Sequence, residues 1–102
     1  MRDIVNDIKL LSLRRVDHAG SLRAYADVRV NDITICDCRL IQQVGQRAYL
    51  SGPQKQVGDR WIPLVKMPTA LREEVQRVVL LEAERDGVVD KPAQPDLLTE
   101  QL

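Results

Sequence analysis

A chain of 102 residues, 44% apolar and 29% charged, has the balance of one globular domain with one modest core. No apolar run approaches membrane-spanning length, Arg2, Asp3 and Asp7 stand where a secretion signal would be apolar, and two cysteines make no disulfide framework; a cytoplasmic, non-membrane protein is expected. The formal net charge is zero but uneven: residues 9–66 hold ten bases and five acids, whereas residues 82–102 hold six acids and two bases, an asymmetry that suits a polyanionic partner.

Residues 1–6 read as a loose leader. Residues 8–16 read as a strand that ends at the turn signal Asp17-His18-Ala19-Gly20. Residues 22–30 alternate strictly, with Leu22, Ala24, Ala26, Val28 and Val30 on one face and Arg23, Tyr25, Asp27 and Arg29 on the other. That period of two predicts a half-buried antiparallel strand. Asn31-Asp32 is a two-residue turn, so residues 33–41 return as the second strand of a hairpin. A short strand follows over 47–51 after a turn at Gly45, then a polar loop over 54–59 and an extended segment over 60–66. Pro63 has no N–H to donate and belongs at a sheet edge or a bulge. Pro68-Thr69 opens a helix, with Thr69 as N-cap and Glu73 and Glu74 in the first turns, where the dipole favours acids. Leu71, Val75, Val78 and Val79 should face the sheet. Leu80 lies on the other side, either exposed or against a partner, and Gly87 is the C-terminal cap. The tail carries Pro92, Pro95 and the apolar pair Leu97-Leu98.

No constellation in this chain carries a reaction. Cys36 and Cys38 are two apart on a predicted strand, hence on one face, and the single histidine, His18, leaves no zinc set. His18 has Asp17 beside it but no partnered nucleophile. Glu73/Glu74 and Glu82/Glu84 read as a solvated helix face, and Gly52-Pro53-Gln54-Lys55 is too poor in glycine for a phosphate loop. The basic residues give two leads. Arg23 and Arg29 flank Tyr25 on the polar strand face, either as a solvated face in which Asp27 pairs internally or as a clamp for phosphates around a stacked base. Lys55, Arg60, Lys66, Arg72 and Arg77 run from the loop into the helix, either as one basic edge or as an ordinary charged surface.

Leu13-Arg14-Arg15-Val16, the Gly20-x-Leu22-Arg23-Ala24-x-Ala26 stretch, Asp37-x-Arg39-Leu40-Ile41 and the helix from Arg72 to Val79 occur in an order that resembles the SpoVG (septation regulator) family of small bacterial proteins. The similarity covers about residues 8–87. The family's basic pair is reduced here to Lys55 between Gln54 and Gln56, and Pro63 and Pro68 stand where the family has His-Pro. The resemblance implies an α+β fold, a small antiparallel sheet of about five strands with a C-terminal helix packed on it. It also implies homodimerisation through the sheet and a regulatory role in gene expression, septation or sporulation exerted by binding DNA or RNA. The expectation is then one domain over residues 1–87 and an acidic tail over 88–102, without catalytic residues, metal, cofactor or small-molecule substrate. Lys55, Arg60, Lys66, Arg72 and Arg77 are the first candidates for the nucleic-acid surface. Arg14, Arg15, Arg23 and Arg39 come second, because strand arginines can equally support the fold or the dimer. The rival reading is a protein-interaction module that never touches nucleic acid.

Overall fold

The alternation over residues 22–30 makes the central strand. In this computed structural model, which describes residues 6–17 and 20–90, β2 (Leu22–Val30) buries Ala24, Ala26, Val28 and Val30 and leaves Arg23, Tyr25, Asp27 and Arg29 half-buried. The turn at Asn31-Asp32 places Asn31 at a φ of 56°, a left-handed backbone that asparagine tolerates better than most residues. Asn31 is also tied to Asp7: its N–H donates to the Asp7 carbonyl at 2.7 Å, and its Oδ1 accepts the Asp7 N–H at 2.9 Å. The chain returns as β3 (Ile33–Ile41), while β1 (Ile8–Arg15) pairs with the other side of β2 and β4 (Tyr49–Ser51) with β3. All neighbours are antiparallel, in the order β1-β2-β3-β4.

The helix α1 (Thr69–Arg85) covers one face of this sheet. Val75, Val79 and Ala83 recur every four residues and are buried together with Ala24, Ala26, Val28 and Leu40. That stripe is narrower than predicted, since Val78 is only half-buried. Leu80, expected on the opposite side, packs against the core edge, and Leu81 is the exposed leucine. The N-cap is Pro68, not Thr69; no side chain caps the helix, and its first turn holds no acid, so Glu73 and Glu74 lie beyond the strongest part of the dipole. The C-terminal end follows expectation. Gly87 takes a φ of 72°, its N–H donates to the Glu84 carbonyl at 3.2 Å, and the Val88 N–H donates to the Ala83 carbonyl at 2.9 Å. This double closure satisfies the last carbonyls and turns Val89 into the core. Buried Gln42 holds the turn: its Nε2 donates to the carbonyls of Gln46 (3.1 Å) and Asp90 (3.2 Å), and its Oε1 accepts the Asp90 N–H at 3.0 Å.

The sheet differs from the five-stranded expectation. It has four strands, and the polar stretch read as a loop is β5 (Gln54–Val57), paired with β6 (Arg60–Pro63) as a separate two-stranded ribbon around Gly58-Asp59. Gly58 supplies the φ of 61° that this tight turn requires. Pro63 closes the ribbon opposite Gln54, where both strands are edges and its missing N–H disrupts no sheet.

Two further departures come from bulges. Ala26 pairs with Cys38 but Val28 with Ile35, so two residues, Cys36 and Asp37, stand against Asp27 alone. The extra residue breaks the parity of β3: Cys38 is buried and Cys36 exposed, on opposite sides rather than one face. A second shift, between Leu22 and Ala24, pairs Leu22 with Ile41 and takes it out of the alternation that buries Ala24 and Leu40. His18 and the Leu97-Leu98 pair lie outside the described residues. Among the described residues no helix is long and apolar enough to cross a membrane.

Candidate functional site

The first group of basic residues falls into three places. Lys66, in the link between β6 and α1, and Arg72, on the first turns of α1, line one cavity of about 350 Å³ with Ile35, Leu50, Met67 and Val75. Both lie beside the helix N-terminus, which contributes partial positive charge that no first-turn acid offsets. Lys55 and Arg60 lie on the ribbon at diagonal positions. Lys55 is opposite Ile62 and Val57 is opposite Arg60, so these four side chains share one exposed face. Arg77 does not join either pair, because five residues past Arg72 it lies about 140° around the helix and about 7.5 Å along it. None of Lys55, Arg60, Lys66, Arg72 and Arg77 makes an ion pair with a described residue.

The second group is mostly engaged in holding the fold. Arg14 donates from Nη1 and Nη2 to both oxygens of Asp27, at 2.8 and 3.1 Å, and from Nη2 to Asp37 at 2.6 Å. Asp27 also accepts the Ser12 hydroxyl at 3.1 Å and the Asp37 backbone N–H at 2.9 Å. The Arg14 hydrogen bonds, then the Asp37 N–H, hold the Asp27 carboxyl well below the usual carboxylate range. Arg15 Nη2 donates to the Asp86 carbonyl at 3.3 Å, which places a cation at the negative end of α1. Arg23 Nε donates to the Gln42 carbonyl at 3.1 Å. Arg29 stands 3.4 Å from Asp7, so the predicted Arg23–Tyr25–Arg29 clamp has both its arginines engaged elsewhere.

Arg39 is different. Its guanidinium carbon lies 5.7 Å from the centroid of the Trp61 ring, a cation–π contact, and it makes no ion pair with a described residue. Tyr25 is its cross-strand partner on β2 and Ser51 its partner on β4. Of the three aromatics, sequence alone points to Tyr25 as a site residue and not to Tyr49 or Trp61. The available signal was that these are the chain's only aromatics and none falls on a predicted apolar face.

The reactive groups offer little chemistry. Burial pushes the Cys38 thiol up to about 11, so it stays protonated near neutrality. No cluster of three or more metal-ligating side chains occurs among the described residues. No family model and no curated protein matches the chain.

Proposed function

We propose that this chain is a nucleic-acid-binding regulator of the SpoVG type, acting as a homodimer joined through its sheet and without catalytic chemistry of its own. The observation that supports this reading is a set of cations at the ribbon and the helix start that make no ion pair with a described residue. Lys66 and Arg72 lie beside the positive end of α1, and Lys55 and Arg60 stand at diagonal positions on the ribbon. Cations held without a protein counter-charge are the ordinary means of contacting a phosphate backbone. The sheet ends in β1 and in β4, which has only three residues, so β1 offers the longer edge to a second copy.

A second reading has its own observation. Val57, Ile62 and Leu64 are exposed large apolar side chains in or beside the same ribbon, and they favour a protein-interaction module. Salt separates the two, because phosphate binding weakens steeply with ionic strength and an apolar contact does not.

The test is fluorescence anisotropy with labelled single-stranded RNA and duplex DNA across a salt series, on protein whose mass in light scattering is twice the 11.6 kDa of one chain. Wild type should bind at low salt with a steep negative slope of log affinity against log salt. The double variant Lys66→Glu/Arg72→Glu removes two contacts and should flatten that slope by about two units. A folded protein that binds neither nucleic acid at low salt would discard this reading in favour of the protein module.

A further inference from the structure

The three aromatic residues of this chain are all kept out of its core. The buried set is aliphatic, while Tyr49 is 45% and Trp61 54% exposed and Tyr25 is half-buried. Register places them together. Arg39 and Ile41 are two apart on β3 and point to the sheet face away from α1, opposite in parity to buried Leu40. Tyr25 is the direct partner of Arg39, and Tyr49 the direct partner of Ile41, so both tyrosines stand on that open face. Trp61 reaches the same place from the ribbon, with Arg39 against its ring. Strand spacing sets Tyr25 and Tyr49 about 12 Å apart, with Arg39 between them.

We propose that this open sheet face is a stacking platform for single-stranded nucleic acid, with bases on Tyr25, Tyr49 and Trp61 and a phosphate or base at Arg39. The inference rests on the nucleic-acid reading and adds the class of ligand. An aromatic side chain carries apolar surface that the hydrophobic effect would ordinarily bury, yet the buried cluster here contains no aromatic and is mostly Val and Ala. An open antiparallel face carrying rings and an arginine meets unpaired bases through their π faces. A duplex offers it none, because its bases are stacked on one another, and a four-stranded sheet face does not enter a groove. The charges nearby are compatible with a polyanion. Asp27 is bonded to Arg14, and exposed Asp37 lies 2.6 Å from the same guanidinium. Arg39 on β3 and Lys9 on β1 carry further positive charge on this side, while Arg29 is offset by Asp7.

Trp61 is the only tryptophan, so its emission reports this face directly. The experiment titrates the dimer with a mixed-sequence single strand and with the same strand annealed to its complement, reading anisotropy and Trp61 emission at several salt concentrations. The single strand should bind at least about tenfold tighter than the duplex and quench Trp61. Trp61→Ala and Tyr25→Ala should each weaken single-strand binding about tenfold while leaving the salt slope unchanged, because they remove stacking and not a phosphate contact. Trp61→Phe keeps a ring and should retain most of the affinity. Salt-sensitive binding that leaves Trp61 emission unaltered and is indifferent to Trp61→Ala would overturn the platform while the regulator reading stands. Absence of all binding at low salt would overturn both and leave the arginine–aromatic face as a protein contact.

Discussion

Leu40→Ala lowers the unfolding free energy by about 3 kcal/mol and the melting temperature by roughly 10–20 °C. Leu40 is fully buried and is the largest of the apolar side chains with no exposure, a group that otherwise consists of valines and alanines. Its cross-strand partners are Ala24 and Leu50, and most of the buried cluster it belongs to is valine and alanine, short side chains with little length to swing into a hole. The cavity therefore persists, and the loss lies toward the middle of the range for such truncations rather than at its low end. Leu81→Ala is the internal control. That side chain is 53% exposed on the outer side of α1, and its removal should change stability by less than about 0.5 kcal/mol. Thermal melts followed by far-ultraviolet circular dichroism compare the two; equal shifts would mean that the helix does not seat on this sheet face as described.

The contrast between those leucines marks what the sequence made legible. Where one strand or one helix decides its own burial, pattern was sufficient: the alternation of β2, the hairpin at Asn31-Asp32, the main stripe of α1 and the cap at Gly87 all follow from local periodicity and local backbone need. It failed where a neighbouring element decides. Cys36 and Cys38 are on opposite sides because Asp27, on another strand, captures the N–H of Asp37 and fixes a bulge that no feature of β3 alone announces. β5 was hidden for a different reason. Gln54, Lys55 and Gln56 are polar on both faces because the ribbon is exposed on both, so no alternation exists to be read. The Gly58-Asp59 turn was nevertheless a usable hairpin signal.

The candidate site divides in the same way. Sequence separates loop arginines from strand arginines by position, yet it cannot tell which guanidinium already has a carboxylate. Arg14 and Arg39 look equivalent, two strand arginines on polar faces flanking Tyr25. The fold gives Arg14 two aspartates and Arg39 a tryptophan ring. The difference depends on contacts 13 and 23 residues away along the chain for one residue, and on a separate ribbon for the other.

Asp27→Asn tests that division, and it should cost about 2–3 kcal/mol at neutral pH. Asp27 receives four donors: two N–H groups of Arg14, the Ser12 hydroxyl and the Asp37 backbone N–H. Asparagine replaces one acceptor oxygen with an NH₂ group that faces donors, so at least one of these contacts becomes repulsive. The bulge weakens with it, because Asp37 sits at a φ of 60°, a strained position for a residue with a side chain, held in part by that N–H bond. The pH dependence gives the sign independently. The folded-state pKa of Asp27 is depressed below the ordinary carboxylate value of about 3.9, so its contribution is fully present above that value and is lost as pH falls toward the folded pKa. Wild type should therefore lose stability below about pH 4, and the variant, which has no carboxylate at this position to protonate, should lose less. Melts of both proteins at pH 7 and near pH 3 should show the gap between them narrowing in acid. A gap that stays constant would mean that the Asp27 charge contributes nothing, and that the bulge is held by backbone pairing instead of by the Arg14 network.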